Sequence, residues 1–101
     1  MIQAAPSSIP LEVSEFCVQH GIMSHLETAI RLAKLHFAPY RELRVGVESD
    51  PEVDDAAVVI DVTLEMEVNE VLQRKQDYTR DLVASTPPNA REKFRLLYDI
   101  V

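Results

Sequence analysis

Residues 58–68 read Val58-Val59-Ile60-Asp61-Val62-Thr63-Leu64-Glu65-Met66-Glu67-Val68, and this stretch decides the fold. Val58, Ile60, Val62, Leu64, Met66 and Val68 fall on one side of an extended chain, and Val59, Asp61, Thr63, Glu65 and Glu67 on the other. A period of two sustained this long predicts a β-strand with one dry face and one wet, acidic face. Such a strand needs pairing along its edges and cover over its dry side, so the flanking sequence has to provide both.

Upstream, Leu43, Val45 and Val47 alternate with Arg44, Gly46 and Glu48 and predict a second strand. The intervening Ser49-Asp50-Pro51-Glu52-Val53-Asp54-Asp55 is turn chemistry, and its proline discourages continued pairing, so the two strands form an antiparallel hairpin. Downstream, Asn69 is a candidate N-cap with Glu70 in the first turn. Val71, Tyr78 and Leu82 then mark the apolar side of a helix that Pro87-Pro88 stop. Phe94, Leu96, Tyr98 and Ile100 alternate with Arg95, Leu97, Asp99 and Val101, which predicts a C-terminal strand.

Cover for the dry side comes from the first forty residues. Pro10 suits the first position of a helix whose Val13, Phe16 and Cys17 share a face. Gly21 can cap it in the left-handed region, with Ile22 folding back on the last turn. Ser24-His25-Leu26-Glu27 has the form of a capping box, and Leu26, Ala29, Ile30, Ala33 and Phe37 recur at helical spacing up to Pro39. Residues 1–9 read as a flexible arm and residues 10–101 as one domain.

The element order is therefore ααββαβ, an α+β fold with a three-stranded, mostly antiparallel sheet and helices packed on one face. The last strand runs parallel to the second through a right-handed crossover. It either lies beside the second strand or crosses to the free edge of the first. The crossing is the favoured arrangement, since it places the apolar faces of all three strands under helices. The opposite face then shows Arg44, Glu48, Asp61, Thr63, Glu65, Glu67, Arg95 and Asp99 to water.

Charge sharpens this picture. The 101-residue chain has a formal net charge of −7, which disfavours nucleic acid as a partner because a phosphate-binding footprint needs a basic surface. Residues 41–70 carry Arg41 and Arg44 against ten acids, a balance of −8, so the acidity belongs to the hairpin and its surroundings. A single cysteine excludes an internal disulfide and suits a reducing, cytoplasmic setting. No apolar run approaches the ~18 residues of a membrane span, and residues 1–10 lack the basic and apolar regions of a secretory signal.

Four constellations are candidates for chemistry. Cys17, His20, His25 and His36 are of zinc-binding type, with Cys17, His20 and His25 the closest set, but their spacing matches no compact zinc signature. Cys17 and His20 as nucleophile and base lack an orienting third group, and Cys17 falls on the apolar stripe. Asp50, Glu52 and Asp54 imitate the start of a calcium loop, yet Asp55 stands where that loop needs glycine. Asp61 and Glu65 are about 13 Å apart along a strand, too far for a paired-carboxylate mechanism. Neutralisation by Arg44 and Arg95 across strands is the plainer role for these acids.

The segments Ala29-Ile30-Arg31-Leu32-Ala33-Lys34-Leu35-His36-Phe37, Glu48-Ser49-Asp50-Pro51-Glu52 and Lys93-Phe94-Arg95-Leu96-Leu97-Tyr98 resemble those of small bacterial proteins of about a hundred residues, to which no activity is assigned. The resemblance implies a bacterial, cytoplasmic chain and supplies no catalytic motif.

With no catalytic set and no cofactor indicated, the sequence points to a small, acidic, non-enzymatic interaction or regulatory protein, antitoxin- or adaptor-like. Its expected binding residues for a basic protein partner are Glu48, Asp50, Glu52, Asp54, Asp55, Asp61, Glu65 and Glu67. Two readings of other classes stand beside it. One is a DNA-binding helix-turn-helix regulator built on residues 11–38 with Arg31 and Lys34; the other is a Cys/His metal protein or small enzyme. Self-association through the outward sheet face or the strand edges is a further expectation, because Val59, Leu97 and Val101 add apolar surface there.

Overall fold

A computed structural model describes residues 9–50, 52 and 55–101, except for the side chains of Asp50 and Asp55. The expected arm lies almost wholly outside the described residues; Ile9, at its end, packs against the core. The elements are α1 (Leu11–His20), α2 (Met23–Phe37), β1 (Glu42–Asp50), β2 (Asp55–Leu64), α3 (Val68–Ser85), α4 (Pro88–Arg91) and β3 (Phe94–Ile100). The fold is α+β with a three-stranded mixed sheet, antiparallel between β1 and β2 and parallel between β2 and β3.

The α1–α2 connection follows from one glycine. Gly21 has φ 69°, and its N–H donates to the Val18 carbonyl while that of Ile22 donates to the Cys17 carbonyl. This closes the helix end and buries Ile22 beside Cys17. The chain enters α2 at once, so Ile22 rather than Ser24 occupies the N-cap position, and the capping box does not form. The Leu26 N–H already donates to the Ile22 carbonyl at 2.9 Å, which leaves Ser24 inside the first turn.

The strand order is β1-β2-β3, so the last strand lies beside the second and does not cross to the first. Burial explains the correction. Val58, Ile60, Val62 and Leu64 are completely buried, whereas Leu43, Val45 and Val47 of β1 are only partly so. The central place therefore goes to the strand whose inward residues gain most from cover on every side, each contributing roughly 1.5–3 kcal/mol. β3 takes the edge, and its inward residues fade from a buried Phe94 to Ile100 at 39% exposure.

β2 also stops earlier than its alternation implies. Leu64 pairs with Ile100, and beyond it neither neighbour offers a ladder. The Val101 N–H closes the last bond to the Leu64 carbonyl at 2.9 Å. Met66 still packs on the core, but Glu65 and Glu67 leave the sheet and Glu67, not Asn69, takes the N-cap position of α3. At the other end the strands reach Asp50 and Asp55, so the hairpin connection is shorter than residues 49–55. Pro87 and Pro88 stop α3 as expected and then open the short α4, an element the periodicity does not predict.

The core is one cluster between the sheet and the helices. Val13 and Cys17 of α1, Leu26, Ala29, Ile30, Leu32, Ala33 and Phe37 of α2, and Val71, Tyr78 and Leu82 of α3 meet the inward residues of β2. Among the described residues, no helix is long and apolar enough to cross a membrane.

Candidate functional site

Because the helices share one side, no helix among the described residues lies over the other face of the sheet. The register places its residues in rows: Glu42 beside Thr63 and Asp99, Arg44 beside Asp61 and Leu97, Gly46 beside Val59 and Arg95, and Glu48 beside Ala57. On this face Ala57 is buried, Val59, Asp61 and Thr63 are half-buried, and Leu97 is 49% exposed. Four acids and two arginines occupy this face, so it is mildly acidic rather than uniformly so.

Asp61 stands at its centre with one defect. Its Oδ1 is buried and has no hydrogen-bond partner among the described residues. Arg44 is its direct neighbour in the ladder, but the Arg44 guanidinium turns along its own strand to Glu42 at 3.6 Å. The expected neutralisation of Asp61 by Arg44 is therefore not made. Residues 44–48 of β1, with Val59 and Asp61, line a shallow depression of about 270 Å³ over Gly46.

The remaining acids of the expected binding set scatter. Glu48 lies on the open face, while Glu65 sits beyond the end of β2 and pairs with Arg41 at 3.1 Å. Glu67 is exposed at the start of α3. Asp50 and Asp55 face each other in the register at the hairpin end, and Glu52 is exposed in the connection. Asp54 lies outside the described residues. Of the eight expected residues, only Glu48 and Asp61 share the open face away from the hairpin tip.

The Cys/His group is dispersed. Cys17 is fully buried, and that burial pushes its thiol pKa up, away from the thiolate that a nucleophile or a metal ligand requires. His20 is exposed and packs on the Phe16 ring, with centroids 4.3 Å apart. His25 is half-buried on α2. Among the described residues no three His, Cys, Asp or Glu side chains gather to hold a metal ion.

His36 has a different partner, invisible in the sequence because 45 residues separate the two. Its Nε2–H donates to Asp81 Oδ2 at 2.7 Å, joining α2 to α3. Beside it, Arg74 donates to the carbonyls of His36 and Ala38 at 2.9 and 2.8 Å and pairs with Glu70 at 2.8 Å. Arg74 thereby satisfies carbonyl groups left open at the C-terminal end of α2 and sets a positive charge against its dipole. This cluster ties two helices together and places no nucleophile against the histidine.

Gly46 is the site residue that the sequence reading passes over. A glycine inside a clean apolar–polar alternation is a signal in its own right, since it weakens a strand unless something approaches closely. No family model, curated protein or solved structure matches the chain.

Proposed function

We propose that the chain is a non-enzymatic interaction protein that receives a basic protein partner on the uncovered face of its sheet, in an antitoxin- or adaptor-like role in the bacterial cytoplasm. The observation that carries this reading is the placement of charge: four acids, Glu42, Glu48, Asp61 and Asp99, stand against two arginines on the sheet face away from the helices, and Asp50 and Asp55 meet at the hairpin end beside them. Glu48 on the same face and the acids of the hairpin extend the negative potential that would steer such a partner.

The test is affinity capture with the wild-type chain and with Glu48→Lys/Asp61→Lys, after circular dichroism has shown that both fold alike. A specific basic protein should co-purify in stoichiometric amount with the wild type, weaken with added salt, and be lost with the double variant. Retention of every captured protein by the double variant would overturn the reading.

A further inference from the structure

β3 is an edge strand, and its backbone groups alternate between two directions. The Val58 N–H donates to the Lys93 carbonyl at 2.7 Å, and the Val101 N–H to the Leu64 carbonyl at 2.9 Å. In a parallel ladder of this register those two bonds fix the pattern between them. Arg95, Leu97 and Asp99 turn their N–H and C=O groups toward β2, and Phe94, Leu96, Tyr98 and Ile100 turn theirs outward. Among the described residues no strand pairs with β3 on that outer side. Natural edges of this kind are blunted by proline, lysine, a bulge or an inward-facing charge. From Phe94 to Ile100 the strand has none of these, and its register with β2 is unbroken.

The helix above this strand has an apolar flank on the same side. Along one flank α3 is tied to α2, by Arg74 on the His36 carbonyl and by Asp81 on the His36 ring. The opposite flank carries Val68, Leu72 and Val83 at helical spacing, all three exposed. Lys75, one turn on from Leu72, belongs to that flank, and its Nζ lies 5.7 Å from the centre of the Tyr98 ring on β3. An unpaired strand edge and an exposed apolar helix flank therefore share one side of the molecule.

We propose that this side takes a second copy of the chain, with β3 antiparallel to the other β3 about a two-fold axis at Leu97, so that two sheets join into one of six strands. Leu97 is the midpoint of Phe94–Ile100, so all seven residues find partners. The outward N–H and C=O groups of Leu96 meet those of Tyr98, and those of Phe94 meet those of Ile100. Charge fits the same register: Arg95 falls opposite Asp99 of the other copy, and Asp99 opposite its Arg95. Sliding one strand by two residues sets Arg95 opposite Leu97 or Val101 instead, and a parallel in-register pair sets like charge against like. Arg95 already has an interaction within its own chain, and the five N–H donors of a guanidinium can serve both. The axis also brings the Val68, Leu72 and Val83 flanks of the two α3 helices toward each other, which adds apolar burial to the strand pair. The open sheet face stays uncovered, and the pairing does not depend on the basic partner proposed above.

The test is sedimentation equilibrium of the full chain up to about 1 mM, with amide hydrogen exchange at the two ends of the concentration range. A reversible dimer is expected. Its formation should slow exchange at Leu96 and Tyr98, whose N–H groups point outward, and change little at Leu97 and Asp99, which already bond to β2. Arg95→Asp and Asp99→Arg, each shown by circular dichroism to fold, should weaken the dimer by about tenfold or more, because each sets like charges across the axis. An equimolar mixture of the two variants should regain the wild-type affinity, since each then supplies the opposite charge at both positions. A wild type that stays monomeric at about 1 mM overturns the proposal, and so does a dimer that both single variants keep. Weakening without rescue on mixing overturns the Leu97 register. Exchange at Leu96 and Tyr98 that is slow at every concentration would assign the edge to another segment of the same chain and overturn the pairing.

Discussion

The two sides of β2 are built from alternate residues of one short strand, yet they end in different states. On the covered side Val58, Ile60, Val62 and Leu64 lose all contact with water and lock into one cluster with three helices. On the open side Val59, Asp61 and Thr63 are half-buried, and Asp61 Oδ1 has no donor among the described residues. The covered side is complete within the chain, its apolar surface matched by Leu26, Phe37, Val71 and Tyr78. The open side has no such match among the described residues: a Cβ at Gly46 would meet nothing within 4 Å, and Asp61 Oδ1 lacks a donor. The contrast shows that a strand can be fully specified by packing on one face while its other face takes no part in the core.

The sharpest way to break this comparison is to place a charge on the covered side. Ile60→Asp puts an unpaired carboxylate where no water reaches, and cooperative thermal unfolding by circular dichroism should disappear. A normal transition would remove β2 from the centre of the core.

Next in size is an effect of pH on the same side. Burial among the helices pushes the Tyr78 hydroxyl up to about 12, above the ~10 of an unfolded chain. The unfolded chain gives up this proton first. The stability associated with it is therefore complete below about pH 10 and lost as pH rises toward 12. Wild type and Tyr78→Phe compared by urea unfolding across this window should diverge by roughly 3 kcal/mol. Parallel curves would mean that the hydroxyl is not held in the core.

A smaller effect concerns how the cover is assembled. Arg74→Ala removes the donor to the His36 and Ala38 carbonyls as well as the ion pair with Glu70. Loss of roughly 1–3 kcal/mol of stability is expected in denaturant titrations. Hydrogen exchange should quicken first in the last turn of α2; uniform quickening would show that Arg74 acts on the whole fold rather than on that junction. The smallest effect has the opposite sign. Gly46→Val on the open side should stabilise the chain by about 0.5–1 kcal/mol, and a net loss of stability would mean that the position is crowded after all.

Much of the fold was legible because its signals are local. The alternation around Ile60 marked a strand and its dry side, and Gly21 followed by Ile22 marked a helix end that forms as expected. The capping box at Ser24 and the N-cap at Asn69 were also local signals, and both were overridden. Fusion of the α1 stop to the α2 start shifted the first, and loss of ladder partners after Leu64 shifted the second. The acidic surface was legible only as composition. Charge counts placed ten acids in residues 41–70, but the end of β2 removed Glu65 and Glu67 from the sheet and gave Glu65 to Arg41.

By itself, the sequence determined which segments become helices and strands, which side of β2 is dry, and that the negative charge gathers around one hairpin. Those properties depend on periodicity, turn chemistry and composition, which act over a few residues at a time. Only the tertiary structure decided that β3 lies beside β2, that His36 meets Asp81, and that Arg44 turns to Glu42 rather than to Asp61. Each of these is a choice among partners distant in the chain. Such choices are made by the burial and hydrogen bonding of the whole packed molecule, in which the most apolar strand takes the centre and the polar groups take what remains within reach.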